Sequence, residues 1–420
     1  MSDFYCKCVS FSYLLDDIYV LFLSMMKQHF PIFQHNPGLV FLDNAASTQK
    51  PALVIDGVAE FLRSDYANIH RGLYQLSEKS ETLYHQSKVL LAELIGAQAK
   101  EIIYSYNASY CFNLLAQALC NSGKLGKGDK VLLWMREHHS NVLPWQTLSK
   151  IFGFEIEFIE VNQHFDLSLE DFAKKYDDTV KVISLSHVSN VTGKIIDVAK
   201  VKTLLREDTF FIVDGSQSVP HFSVNVSKID CDAFVMTAHK MMGHTGLGIL
   251  YLKHQRIKTL DPLILGGGTV KDVSQTDFSL QWNSDKWETG TPNIIGAISL
   301  LKALEFIQNI GGMEAIWEHE QKLVQLSNKG FKERSDKVKV IGSLSDEERV
   351  GVYAFLLPEN NFNKIGEEFA RENICIRAGG HCAYPLHKFL NVGGSSRMSS
   401  YVYNDEEDLR KFFEVLDRML

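Results

Sequence analysis

Thr237-Ala238-His239-Lys240, followed by Met241-Met242-Gly243-His244-Thr245-Gly246, is the stretch on which the reading of this chain turns. The lysine closes an apolar run, residues 231–236, with the composition of a buried strand. Upstream, Ile212-Val213-Asp214-Gly215-Ser216-Gln217 is another apolar run, and it ends in an acid. Lys240 stands 26 residues after Asp214, room for a strand end, a short helix and a further strand. A lysine and a carboxylate at neighbouring strand ends suit one flat cofactor. Pyridoxal 5'-phosphate needs both: an amine to form a Schiff base with its aldehyde, and a carboxylate that keeps the pyridine nitrogen protonated so that the ring draws off electrons. A lysine taken alone is most often a solvated surface cation, so the company around Lys240 has to carry the reading.

Outward from this pair, short apolar runs alternate with helical stretches. Residues 40–42, 101–104, 130–134, 182–185, 210–213, 231–236 and 248–252 read as strands, and 80–95 and 109–119 as helices. That alternation predicts an α/β fold with a mainly parallel sheet covered on both faces. After Pro292 the texture changes. Helices are expected over 294–310 and 313–334, a strand over 350–357, a helix over 364–372, a strand over 374–377 and a closing helix over 406–420. The expected division is an N-terminal extension at 1–29, a large cofactor-binding domain at 30–300 and a smaller α+β domain at 301–420.

With 420 residues, 45% of them hydrophobic and 22% charged, the chain can bury a large core. A net charge of −8 and the lack of any Lys/Arg block argue against nucleic acid as a partner. The seven cysteines, at 6, 8, 111, 120, 231, 375 and 382, form no paired framework and no metal-binding spacing, which points to a reducing, cytoplasmic setting. Residues 11–24 are apolar but broken by Asp16 and Asp17, too short to span a membrane and without a signal-peptide pattern. The segment is expected to be a dispensable extension preceding a start at Met25 or Met26; a helix packed on the body is the alternative.

Ligands of open α/β sheets gather at the carboxyl ends of the strands. There, Asn107-Ala108-Ser109 opens a helix and offers backbone N–H groups and a hydroxyl to a phosphate, or an ordinary cap. Glu137-His138-His139 follows another strand; adjacent histidines point apart and make a poor metal site, and His138 is better placed to stack on a flat ring. Asn190 is either a turn residue or an amide donor to a phenolic oxygen. Arg377-Ala378-Gly379-Gly380-His381-Cys382 puts a cysteine on a glycine-rich, mobile loop, with Arg377 and His381 as cationic neighbours that favour the thiolate. Arg397 is expected in a polar turn, where a guanidinium grips a carboxylate bidentately.

Taken together, LDNAASTQKP (42–51), NIHRGLYQLSE (68–78), EHHSNVLPWQ (137–146), SHVSNVTG (186–193), VDGSQS (213–218), TAHKMMGHTGLGILY (237–251), ETGTPN (288–293), RAGGHCAYPL (377–386) and SSRMSSYVYN (395–404) resemble the class V aminotransferase-like pyridoxal enzymes. Among these they are most similar to group II cysteine desulfurases of the SufS type, with selenocysteine lyases close by. The resemblance implies a fold type I transferase with a seven-stranded sheet. It implies that Lys240 holds the cofactor covalently, Asp214 pairs with the pyridine nitrogen and His138 stacks on the ring. Gln217 and Asn190 would contact the phenolic oxygen. Ser109, Ala108, Thr237 and His239 would bind the phosphate, with Thr291 reaching in from the second subunit of a homodimer. Arg397 would hold the carboxylate of L-cysteine, or of L-selenocysteine, with Asn190 and His381 beside it. Freed Lys240 would act as base at Cα. Cys382 would attack the substrate sulfur and carry a persulfide to a Suf-type acceptor protein for Fe–S cluster or other sulfur biosynthesis. Cysteine sulfinate desulfinase is a neighbouring alternative; an epimerase, a kynureninase-like hydrolase or a catalytically impaired scaffold are more distant ones.

This chain departs from the family pattern in places. Asn107-Ala108-Ser109-Tyr110 stands where Gly-Thr-Thr-Glu is usual, Gly380 where a histidine precedes the His–Cys pair, Lys286 where arginine is common, His244 where proline is common and Tyr74 where a second histidine is common.

Overall fold

The computed structural model describes residues 26–359 and 361–420. Residues 1–25, the greater part of the expected extension, lie outside the described residues. Residues 26–29 pack on the body: Met26 is buried, and Lys27 Nζ sits 2.7 Å from Asp408 and 2.9 Å from Asp405 near the far end of the chain.

The central sheet has seven strands, in the order Ile102–Ser105, Gly248–Leu252, Ala233–Thr237, Phe210–Asp214, Val180–Ser186, Lys130–Trp134, Glu155–Ile159. Gly248–Leu252 runs antiparallel to both neighbours; all other pairings are parallel. The strands are apolar on both faces because both are covered. Along Lys130–Trp134, for example, Leu132 and Trp134 join one core layer while Val131 and Leu133 join the other. Lys130–Trp134 and Gly248–Leu252 have the bounds expected from sequence.

The run at 40–42 is expected in the neighbourhood of this sheet but belongs elsewhere. Val40–Phe41 pairs in parallel with Ile374–Cys375, and Val40 and Leu42 complete the small-domain core. The seventh strand is instead Glu155–Ile159, an edge strand whose polar alternation hides it in a search for apolar runs.

The small domain is built on an antiparallel sheet ordered Lys339–Val340, Val352–Leu356, Ser395–Ser399, Arg377–Gly379. Arg397 therefore lies on an inner, fully buried strand and not in a turn. The run Ser395-Ser396-Arg397-Met398-Ser399 reads as a turn because serine is depleted from ordinary strands. Here Ser395 Oγ lies 3.0 Å from His381 Nε2, and Ser399 Oγ accepts from Ala45 N across the domain boundary at 2.9 Å. Helix Ile294–Asn309 packs against helices Ala52–Ser64 and Gln75–Ile95 of the large domain. The expected division at residue 300 falls inside it.

Candidate active site

Asp214 ends one parallel strand and Lys240 closes the short turn after the next, so both face the carboxyl edge of the sheet. Around them lies a cavity of about 540 Å³ that also takes in Ser109, His138, Asn190, Gln217, Thr237, His239, His381, Cys382 and Arg397. Ala108 lines it too. A cavity of this volume suits a cofactor with a small substrate.

Burial sets the protonation of the central groups. Desolvation pulls the Lys240 amine down to about 8, against the opposing pull of Asp214. Burial raises the Asp214 carboxyl, while Ser216, whose N–H donates to Asp214 Oδ1 at 2.9 Å, works the other way. Burial pushes the His138 ring down to about 3, helped by Lys240. His138 is therefore neutral. Its Nδ1 accepts from Ser140 N at 3.1 Å, which leaves the ring proton on Nε2.

At the phosphate end, Asn107 Oδ1 caps helix Ala108–Asn121 by accepting from Tyr110 N at 2.8 Å, and Ser109 Oγ lies 2.6 Å from Ser140 Oγ. Gly248 lets the sheet come up under this turn: a Cβ there would lie 2.3 Å from the Asn107 carbonyl carbon. Thr291 is not among the cavity residues; it lines a separate cleft with Tyr106, Tyr110 and Trp287.

At the substrate end, Arg397 is buried. Its Nη1 donates to Asn190 O at 3.0 Å and its Nη2 to Asp43 Oδ1 at 3.2 Å. Asp43 also receives Arg377 Nη2 at 3.0 Å, so one carboxylate bridges two guanidinium groups. The side-chain amides of Asn190 and Gln217 hold protein carbonyls: Asn190 Nδ2 donates to His381 O, and Gln217 Nε2 to Ala45 O, each at 2.7 Å. Each NH₂ group keeps one more hydrogen for a ligand.

Cys382 is exposed, whereas Cys111, Cys120 and Cys231 are buried. Burial pushes the Cys111 thiol up to about 12 and the Cys120 thiol up to about 11. His381 is not the cationic neighbour expected from sequence. Burial, and then Arg397, drive its ring down to about 2, so it is neutral beside Cys382. Nor is the loop as free as its glycines imply: Cys382 O accepts from His139 N at 2.7 Å. His381 and Cys382 both hold left-handed backbone, at φ +47° and +53°. Such backbone costs roughly 1–2 kcal/mol per non-glycine residue.

The cavity fits pyridoxal phosphate by a direct observation. Buried polar atoms on its wall lack a partner, among them Ser186 Oγ, His239 Nδ1 and Arg397 Nε. A polar, anionic ligand between a lysine and a carboxylate satisfies such groups; an apolar one leaves them orphaned.

The sequence profile of the aminotransferase class-V family matches residues 40–412. The chain belongs to the aminotransferase class-V family. Among class-V relatives, a probable cysteine desulfurase of Pyrococcus abyssi is 35% identical over 384 residues, 91% of this chain and 94% of that protein. A cysteine desulfurase of Haloferax volcanii is 31% identical, covering 96% of this chain and 98% of its own. The apo structure of a cysteine desulfurase from Thermococcus onnurineus NA1 superposes with a TM-score of 0.89 at 33% identity, covering 94% of this chain and 97% of that one. The seven-stranded sheet is the class-V architecture that the motifs implied.

Ser140 and Tyr384 also border this class-V site, and Asp43 touches it through Arg377 and Arg397; none of the three carries a role in the motif reading. Asp43 stands at the exit of a strand, in Leu42-Asp43-Asn44, and that position is the signal that marks it.

Proposed function

We propose that this chain is a pyridoxal phosphate-dependent cysteine desulfurase that converts L-cysteine to L-alanine and holds the sulfur as a persulfide on Cys382. What supports the reading is that Lys240, Asp214, Arg397 and the exposed thiol of Cys382 line one cavity. Lys240 is the covalent anchor for the cofactor, Asp214 holds the pyridine nitrogen, and His138 lies against the ring. Asn190 and Gln217 use their remaining N–H groups at the phenolic oxygen. Ser109, with the backbone at Ala108, and Thr237 and His239 take the phosphate. Thr291 serves the neighbouring subunit's cofactor in a cytoplasmic homodimer.

When bound, pyridoxal phosphate supplies an electron sink that labilises bonds at the substrate's α-carbon. The protein's own groups do the rest. Arg397 fixes the substrate carboxylate, with Asn190 and His381 beside it, which leaves the substrate thiol toward the Cys382 loop. Lys240, with its amine pulled down to about 8, holds far more of its unprotonated form near neutral pH than an ordinary lysine does, and takes the Cα proton. Cys382 Sγ attacks the substrate sulfur. An S–S bond forms, the C–S bond breaks, and its electron pair remains with the substrate Cβ, which takes up a proton, while Lys240 returns a proton to Cα. Alanine leaves, and the persulfide passes to the thiol of a Suf-type acceptor protein for Fe–S cluster assembly.

Turnover of L-cysteine by the purified protein, with and without a thiol reductant, tests this. Stoichiometric alanine, stimulated by the reductant, is the expected result. Absence of alanine from a fully loaded enzyme would reject the reading, as would faster turnover of L-selenocysteine or cysteine sulfinate with indifference to loss of the Cys382 thiol.

A further inference from the structure

His381 and Cys382 adopt left-handed backbone in succession. Side chains with a Cβ keep that conformation when surrounding contacts impose it. Asn190 Nδ2 holds His381 O at 2.7 Å, and the contacts on the Cys382 side come from a residue that the mechanism above does not use. His139 N donates to Cys382 O at 2.7 Å, and the His139 ring accepts at Nε2 from Tyr384 N at 3.0 Å. One residue thus takes up the backbone on either side of Ala383.

The Tyr384 ring lies against the imidazole, with centroids 4.9 Å apart. Gly380 makes room for it: a Cβ there would stand 2.1 Å from Tyr384 Cε1. Because Nε2 accepts, the ring proton of neutral His139 is on Nδ1. Burial and the nearby His387 both favour the neutral ring.

We propose that His139 is the positioning residue for Cys382, holding the loop to the His138 turn through its backbone N–H, its imidazole Nε2 and its packing on Tyr384. The inference rests on the reading of Cys382 as the sulfur acceptor. It adds that the thiol is aimed by the same turn that carries His138. Cofactor stacking and nucleophile placement then share one short segment, and a small displacement of that segment moves both.

The test compares His139→Ala, His139→Gln and Gly380→Ala in the cofactor-loaded full chain. For His139→Ala, kcat for alanine formation should fall roughly ten- to a hundredfold, as for other misplaced reacting groups. KM for L-cysteine and the cofactor absorbance should stay within about twofold of wild type. Alkylation of Cys382 by iodoacetamide, followed by peptide mass in both cofactor-free and loaded protein, should speed up severalfold as the loop is released. His139→Gln, which keeps an acceptor near Nε2, should restore most of kcat. Gly380→Ala should reproduce the alanine variant's pattern by displacing Tyr384, and it keeps the test alive if His139→Ala does not fold. Wild-type kcat and alkylation rate in His139→Ala or in Gly380→Ala would overturn the inference, as would equal losses in the alanine and glutamine variants. Cys382→Ser separates the two levels. If it retains turnover, the underlying reading fails; if it is inactive while His139→Ala behaves as wild type, only the positioning role fails.

Discussion

Asp43 Oδ1 lies 3.2 Å from Arg397 Nη2, so the guanidinium proposed to grip the substrate carboxylate is already gripping one that belongs to the protein. Arg377 holds the same aspartate from the other side. Substrate has to share Arg397 with Asp43 or displace it.

Removing the competitor should therefore tighten the site. With Asp43→Asn, L-alanine should bind the loaded enzyme severalfold more tightly, read as an absorbance change on titration. Arg397→Lys should do the reverse. It gives up the planar fork, and KM for L-cysteine should rise by about ten- to a hundredfold, the worth of a charge-assisted hydrogen bond. Looser alanine binding in Asp43→Asn would show instead that the aspartate orients Arg397.

Lys240 yields a prediction with a definite sign. Its amine is depressed to about 8, and only the unprotonated amine captures an aldehyde. In cofactor-free protein the rate of pyridoxal phosphate capture should climb as pH rises from 7 to 9 and level off above. Borohydride should fix the label on Lys240. Lys240→Ala should capture none, and a label on another lysine would contradict the assignment.

Cys382→Ser should keep the bound cofactor and still perturb its spectrum on adding L-cysteine, since Lys240, Asp214 and Arg397 are untouched. Alanine formation should fall by about two orders of magnitude or more, because a hydroxyl is a poor attacker on sulfur and no persulfide can form. Mass analysis for the added sulfur checks the wild type in parallel.

The small domain offers a stability test. Phe331 is fully buried, with its ring 5.1 Å from that of Tyr353 and 5.2 Å from that of Phe413. Phe331→Ala should cost about 3–5 kcal/mol, measured by denaturant unfolding.

Much of this was legible in sequence wherever one physical rule acts alone. Lys130–Trp134 and Gly248–Leu252 are buried on both faces, so an unbroken apolar run marks them. Lys240 and Asp214 followed from strand ends. Arg397 misled because its strand is rich in serines, two of which, Ser395 and Ser399, meet polar groups outside the strand, a tertiary fact with no local signature. Glu155–Ile159 hid because an edge strand keeps polar residues. The neutral His381 was illegible for a similar reason: its charge is set by burial and by Arg397, and neither is local. Asp43 stands far from both arginines in sequence, and only the fold brings them together.

The parallel pairing of Val40–Phe41 with Ile374–Cys375 bears on how the molecule is made. As the chain leaves the ribosome, Val40 and Leu42 emerge early but have no apolar partners until almost all of it has followed. Asp43 waits beside them for Arg377 and Arg397. The central sheet, by contrast, draws only on residues 102–252 and can assemble first. A truncated product ending before Ile374 would carry Lys240 and Asp214 yet leave Val40–Phe41 without its strand partner and Asp43 without either arginine, making it a substrate for proteases and chaperones.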